Sequence, residues 1–384
     1  MNRIVALVFF GVILFTGCRE PFNPDIEPAD LTVLVVEGYL DTEGLPSILK
    51  LGYTRNIQTD NSFSPGFPNA VVSLRSESGS EYPLTDLGAG EFEFAYDIPE
   101  EENYRLYIST DDGKSYTSEL LKPILTPDII DVGFEKNEKG AEIYLTTKGN
   151  ENADNFLWTY EEMYAFRPKI PTSYKYDPEL GDVVTRGTDE RTNLCYRGGV
   201  SADLILETSS RFKDQFVFRQ SITQILQNDE RLSVRYSILI SQKALDKDAS
   251  DFWEILRKNT NDLGSIFSPL PSNISGNIKN DQDPDAPVVG YVSLGTVKQR
   301  RLFVGVSDVI PWRADQSEYY DCFIEQDTVL VDKYAQSFGG GNFVPVVPII
   351  PDGAFNPIGF QGALRRCTDC TLRGTNVKPD FWED

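Results

Sequence analysis

The chain contains no histidine in 384 residues. That absence excludes Ser-His-Asp triads, HExxH zinc centres, histidine general acids and bases, and a histidine pH switch. Methionine occurs twice and cysteine only five times. Positive charge is short: 36 Lys and Arg stand against 59 Asp and Glu, a net charge of −23. Such a surface repels phosphate backbones, so no nucleic acid is expected as a partner. There is no GxSxG elbow, no complete Walker-type phosphate loop and no GxGxxG after a strand. No cofactor is therefore expected.

Long apolar runs are also missing, with one exception at the start. Met1–Cys18 reads MNRIVALVFFGVILFTGC. Arg3 supplies a positive n-region, Ile4–Thr16 an uncharged apolar h-region, and Gly17-Cys18 a cleavage site before a cysteine. This layout predicts a lipoprotein signal peptide over residues 1–17, with a lipid such as palmitate on the Cys18 thiol. The run is too short to span a bilayer, which needs roughly 20 apolar residues. Residues 18–30 are polar and carry three prolines, as expected of a tether. Arg19, not an acidic residue, directly follows Cys18, which points toward the outer membrane.

The composition beyond is globular, 40% hydrophobic and 12% aromatic, and the pattern is β. Apolar runs at Leu31–Val36, Ser47–Thr54, Ala70–Arg75, Glu81–Thr85, Glu91–Tyr96, Tyr104–Thr110 and Lys114–Glu119 are separated by Gly, Pro, Ser and Asp turns. Short strands at this spacing predict an immunoglobulin-like β-sandwich over residues 31–125. Lys122–Asp128, with two prolines, marks the boundary. A larger β-rich domain is expected over 126–384. Phe156, Trp158 and Tyr160 alternate and predict a core face. Leu245, Ala249, Phe252, Trp253 and Leu256 predict one amphipathic helix over about 243–259. Arg167–Asn193 has no period and reads as a long loop, functional or disordered. Gly264–Asn277 reads as an irregular crossing. The last sixty or so residues read as a loop-rich tail in need of staples.

Cys195, Cys322, Cys367 and Cys370 remain once Cys18 is lipidated. An even count outside the cytoplasm predicts two disulfides, and three pairings are open. Cys367-Thr-Asp-Cys370 is a lone CxxC without the second pair of a zinc ribbon or the βαβ context of a redox site. Asp281, Asp283 and Asp285 have the alternate-oxygen spacing of a calcium loop. Ala286 stands where that loop needs glycine and Val292 where it needs glutamate, so a solvated acidic turn is the stronger reading. Glu161–Glu162 and Asp189–Glu190 are carboxylate pairs of the kind a glycosidase uses, in a chain where such pairs are common. Phe338–Phe360 is apolar and proline-rich, suited to packing across the second domain or to forming a contact surface for a membrane partner.

VVEGYL (Val35–Leu40), DFWEIL (Asp251–Leu256), GSIFSPLPSNISGNI (Gly264–Ile278), VVGYVS (Val288–Ser293) and CTDCTLRGTNVKPDFW (Cys367–Trp382), with the Cys18 signal, carry a likeness. In these motifs the chain resembles an uncharacterised family of Bacteroidetes outer-membrane lipoproteins, a domain of unknown function. The resemblance implies a protein commonly encoded beside a TonB-dependent receptor, and brings no catalytic residues. Asp327-Thr328-Val329 matches the short O-glycosylation pattern of that bacterial group, with Thr328 as acceptor. The function expected is that of a non-catalytic accessory to a TonB-dependent β-barrel transporter, capturing or handing on an unidentified ligand. A structural or assembly lipoprotein of the envelope and an extracellular carboxylate-dependent hydrolase are the alternatives.

Overall fold

Successive side chains on a strand leave opposite faces of the pleat. β1 (Leu34–Asp41) thus turns Leu34, Val36 and Leu40 inward, and all three are buried. It continues through the Glu37-Gly38 step where a break was expected. A computed structural model describes residues 33–54, 67–261, 276–315 and 317–383. The signal peptide, Cys18, the tether and most of Gly264–Asn277 lie outside the described residues.

After β1 come β2 (Ser47–Tyr53), β3 (Ala70–Ser76), β4 (Glu81–Pro83), β5 (Thr85–Gly88), β6 (Glu91–Phe94), β7 (Tyr104–Thr110) and β8 (Ser115–Ser118). They form two sheets around one core. Leu49, Leu51, Phe92 and Phe94 from one sheet meet Val72, Leu74, Leu106 and Ile108 from the other. The expected sandwich is present.

The second region carries β9 (Ile129–Lys136), β10 (Gly140–Lys148), β11 (Asn155–Phe166), β12 (Tyr174–Asp177), β13 (Asp182–Thr185), β14 (Cys195–Val200), β15 (Ile205–Thr208), β16 (Phe216–Leu226) and β17 (Arg235–Leu245). Helix α1 (Lys247–Asn261) follows, then β18 (Ile278–Asn280), β19 (Val288–Gly295) and β20 (Val297–Gly305). The sheet β16-β10-β9 packs on the sheet β14-β11-β17-β20, with β15 also beside β11. Phe156, Trp158 and Tyr160 lie in the core between them, as their alternation predicts. No helix among the described residues is long and apolar enough to cross a membrane.

Three sequence expectations change. The helix begins at Lys247, not Lys243. Lys243 and Leu245 belong to β17, opposite Leu157 and Asn155 of β11. Asp246 then ends the strand: its side chain accepts from the Ala249 amide at 2.7 Å and caps the first turn. The Arg167–Asn193 stretch is not a structureless loop, since β12 and β13 pair as a hairpin. The tail also has regular structure. β21 (Val329–Leu330), β22 (Phe343–Ile349) and β23 (Gly359–Leu364) form a sheet, with short helices α2 (Tyr334–Phe338) and α3 (Arg365–Thr368) beside it. The β12–β13 hairpin packs on this module through Tyr174, Tyr176 and Val183, against Tyr334, Phe338 and Phe360. Phe338–Phe360 is therefore partly core and partly surface.

The first sandwich is also not built from residues before 126 alone. β19 runs parallel to β1, pairing Val36 with Gly290, and β18 pairs with β8. Each sheet takes its fifth strand from beyond α1. The predicted boundary segment is stitched in: the Ile124 amide donates to Leu294 O at 3.0 Å, and Thr126 is buried. Gly290 lets β19 seat. Its φ is +135°, and a Cβ there would lie 1.7 Å from Val36 O. Gly290→Ala is expected to part β19 from β1 and to cost about 2–3 kcal/mol in urea unfolding. A loss below about 0.5 kcal/mol would refute this account of the closing strand.

Candidate functional site

The sheet β14-β11-β17-β20 has two unlike faces. Its inner face is the core of the second sandwich. Its outer face is covered at two ends only. At one end, Leu157 and Leu245 lie under Ala249, Phe252 and Trp253 of α1. At the other, Ala165 and Tyr196 lie under Trp382, with Phe303 packed alongside. The strip between stays open.

Register places the side chains of that strip. Directly paired residues of antiparallel strands share a face. One row across the sheet is Val200, Glu161, Leu239 and Arg301. The next is Thr159, Ser241 and Gln299, and the third is Leu206, Leu157, Lys243 and Val297. The Gln299 side chain donates to Ser241 Oγ at 2.9 Å, and Arg301 to Ser237 Oγ at 3.0 Å. Glu37, Gly38 and Tyr39 of β1 and Leu45–Ile48 face this strip from the first sandwich. Together they enclose a cleft of about 330 Å³, within the size range of small-molecule sites.

Buried hydrogen bonds hold the two walls in register. Asp41 Oδ1 accepts from the Glu43 and Leu45 amides at 3.0 and 2.8 Å. Its Oδ2 accepts from the Val297 amide at 2.7 Å. Thr126 Oγ1 accepts from the Ala244 amide at 2.9 Å and donates to Thr296 O. The Tyr39 hydroxyl donates to Ala244 O at 3.2 Å. Burial pushes the Tyr39 phenol far above its ordinary range, so it stays a neutral donor. These bonds join strands from both sandwiches, so the cleft exists before any ligand arrives.

Lys243 stands out within it. Burial pulls its ammonium below the usual lysine range, against the opposing pull of Glu37 and Glu161. Its ammonium makes no ion pair or hydrogen bond among the described residues, and the Tyr39 ring centroid lies 5.7 Å away. Burial also lowers Arg301, which Glu161 partly offsets.

The sequence-predicted residues distribute as follows. Strand alternation splits the Glu161–Glu162 pair. Glu161 lines the cleft, while Glu162 faces the other way and accepts from Arg231 at 2.9 Å and the Tyr236 hydroxyl at 3.0 Å. Glu190 is tied to Lys175 in the β12–β13 region. Asp281, Asp283 and Asp285 do not converge on a cation site. Asp281 accepts from Thr117 Oγ1 at 3.1 Å, and Asp283 Oδ1 from the Asp285 amide at 3.3 Å. No group of three or more metal-ligating side chains is brought together among the described residues. The turn that carries them docks on β8, where Asp281 meets Thr117. Thr328 is half-buried and precedes β21. The cysteines pair as Cys195–Cys370 and Cys322–Cys367. The helical spacing that predicts a start near Lys243 hides its place on β17, opposite Leu157. The alternation Tyr236, Ile238, Ile240, Gln242 and Ala244, all buried, was the signal that kept the strand going to Leu245.

The fold and cleft define a class: a mainly β protein of two interlocked sandwiches with a cleft of mixed polar and apolar lining at their junction and a disulfide-stapled C-terminal module. The chain belongs to the family described as Domain of unknown function (DUF4249), whose model matches residues 19–301. That span holds every residue lining the cleft. No curated protein matches the chain.

Proposed function

We propose that this protein is a lipid-anchored, non-catalytic binding protein of the outer membrane, an accessory to a TonB-dependent β-barrel transporter. Cys18 carries the anchor, with palmitate among its acyl chains. The cleft captures a small ligand and hands it on. The observation that carries this reading is the preformed junction cleft, open to solvent, with an unpaired ammonium inside. A cleft held by Asp41, Thr126 and Tyr39 loses little order on binding, which favours capture.

Two further observations support it. Two disulfides suit a compartment outside the cytoplasm. The C-terminal module exposes Leu330, Val331, Ile350, Phe355 and Ile358 around one end of its sheet, with Phe355 99% exposed. An apolar edge of this kind suits contact with a partner protein. Purification of the tagged protein from detergent-solubilised membranes tests the reading. A β-barrel receptor is expected to come with it, and Phe355→Asp to reduce its recovery at least tenfold. Repeated recovery without any β-barrel protein would leave the structural-lipoprotein alternative in its place.

A further inference from the structure

We infer that the junction cleft binds a small zwitterion, of the size of a di- or tripeptide, with its carboxylate at Lys243 and its ammonium at Glu161. The inference rests on the binding reading above and names the ligand class for that site.

The argument starts from charge. The half-buried Lys243 ammonium meets the Tyr39 ring at 5.7 Å but makes no ion pair or hydrogen bond among the described residues, so burial has cost it water without bringing an anion into contact. A ligand carboxylate restores what burial removed. A simple anion would be opposed by the two carboxylates of the lining, Glu37 and Glu161. Glu37 stands opposite Lys50 across the β1–β2 pair, and Lys50, which also lines the cleft, is held by Glu91 at 3.6 Å. Glu161 lies at the far side of the strip and forms no ion pair among the described residues. A ligand bearing one charge of each sign matches both ends.

Spacing sets the size. Lys243 pairs with Leu157, four residues from Glu161 on β11. At about 3.3 Å per residue the two rows are about 13 Å apart along the strands. Both side chains line the same cleft and are long enough to narrow that gap to the length of two or three extended residues. Between the charges lie Thr159, Ser241 and Gln299, which offer hydroxyl and amide groups to a peptide backbone. Leu45, Pro46, Ile48, Val200 and Leu204 supply apolar surface for side chains. Tyr39 and Trp253 also line the cleft, but both are more than nine-tenths buried. They offer no open ring face, so a stacked sugar is the weaker fit.

Calorimetry on the mature protein in detergent, with tri-alanine as the probe, tests this. Tri-alanine is expected to bind, and N-acetyl-tri-alanine and tri-alanine amide each to bind at least tenfold more weakly. Lys243→Met should abolish the preference for the free carboxylate, and Glu161→Gln the preference for the free amine. Unchanged melting temperatures would show both variants folded. Capped and free peptides binding alike, or preferences surviving both substitutions, would overturn the inference. If no peptide binds but maltotriose does, and Thr159→Trp blocks it, the zwitterion is wrong while the binding cleft stands. If neither probe binds and receptor recovery also fails, both readings fall.

Discussion

Trp158→Ala is expected to lower the free energy of unfolding by about 3–5 kcal/mol. Trp158 is fully buried where the two sheets of the second sandwich meet, and it stacks on Phe156 with ring centroids 5.6 Å apart. Truncation leaves a cavity that rigid strands on both sides cannot close. It also strands a polar group. The Trp158 indole donates to Gln242 Oε1 at 2.9 Å, while Gln242 Nε2 donates to Pro127 O at 2.7 Å and Thr147 Oγ1 at 3.1 Å. Gln242 thereby holds the segment entering the second sandwich. Trp158→Phe separates the two causes, because it keeps most of the volume but orphans Gln242 Oε1. It should cost about 1–3 kcal/mol. Urea unfolding midpoints check both, and an Ala variant no weaker than the Phe variant would show that packing at this site is not what matters.

Removing the Cys195–Cys370 bond, as Cys195→Ala with Cys370→Ala, should cost about 2–5 kcal/mol. The bond joins β14, at the edge of the cleft-bearing sheet, to the turn after α3, across a sequence separation of 175. Closing so long a loop limits the unfolded chain strongly. The bond is reinforced nearby. Arg373 binds Glu230 at 2.6 Å and donates to the Tyr319 hydroxyl, and Tyr196 pairs with Thr375. Loss of the bond should therefore loosen the C-terminal module without melting the sandwiches, and expose it to limited proteolysis. Removing Cys322–Cys367, with a separation of 45, should cost about 1 kcal/mol less. Equal proteolysis of the double-alanine and parent proteins would show that the docking contacts suffice without the bond.

The first sandwich was legible because its strands alternate in short runs between turn residues, a purely local signal. Its fifth strands were not. Val288–Ser293 reads as a strand anywhere, and nothing in VVGYVS says that Gly290 will lie against Val36. Arg167–Asn193 looked aperiodic because β12 and β13 have only four residues each, and Lys175 and Asp177 of β12 are as half-buried as its tyrosines. Lys243 looked helical because the apolar spacing of α1 runs back to Leu245, and only the Asp246 cap and the β11 pairing separate strand from helix. The aspartates of 281–285 had ligand spacing in sequence, but their turn docks on β8, and its oxygens satisfy local donors.

By itself the sequence determined the β character, the aromatic core face of β11, the exclusion of histidine chemistry, and a cysteine count that suits two bridges. Each follows from composition or from a period of two residues, which needs no knowledge of distant chain. Tertiary structure alone decided which cysteines meet, that strands from beyond α1 complete the first sandwich, and that one open strip of one sheet becomes a cleft. Those outcomes depend on pairing between segments up to about 250 residues apart. Many registers satisfy the same alternation locally, and only the packing of the whole chain selects one.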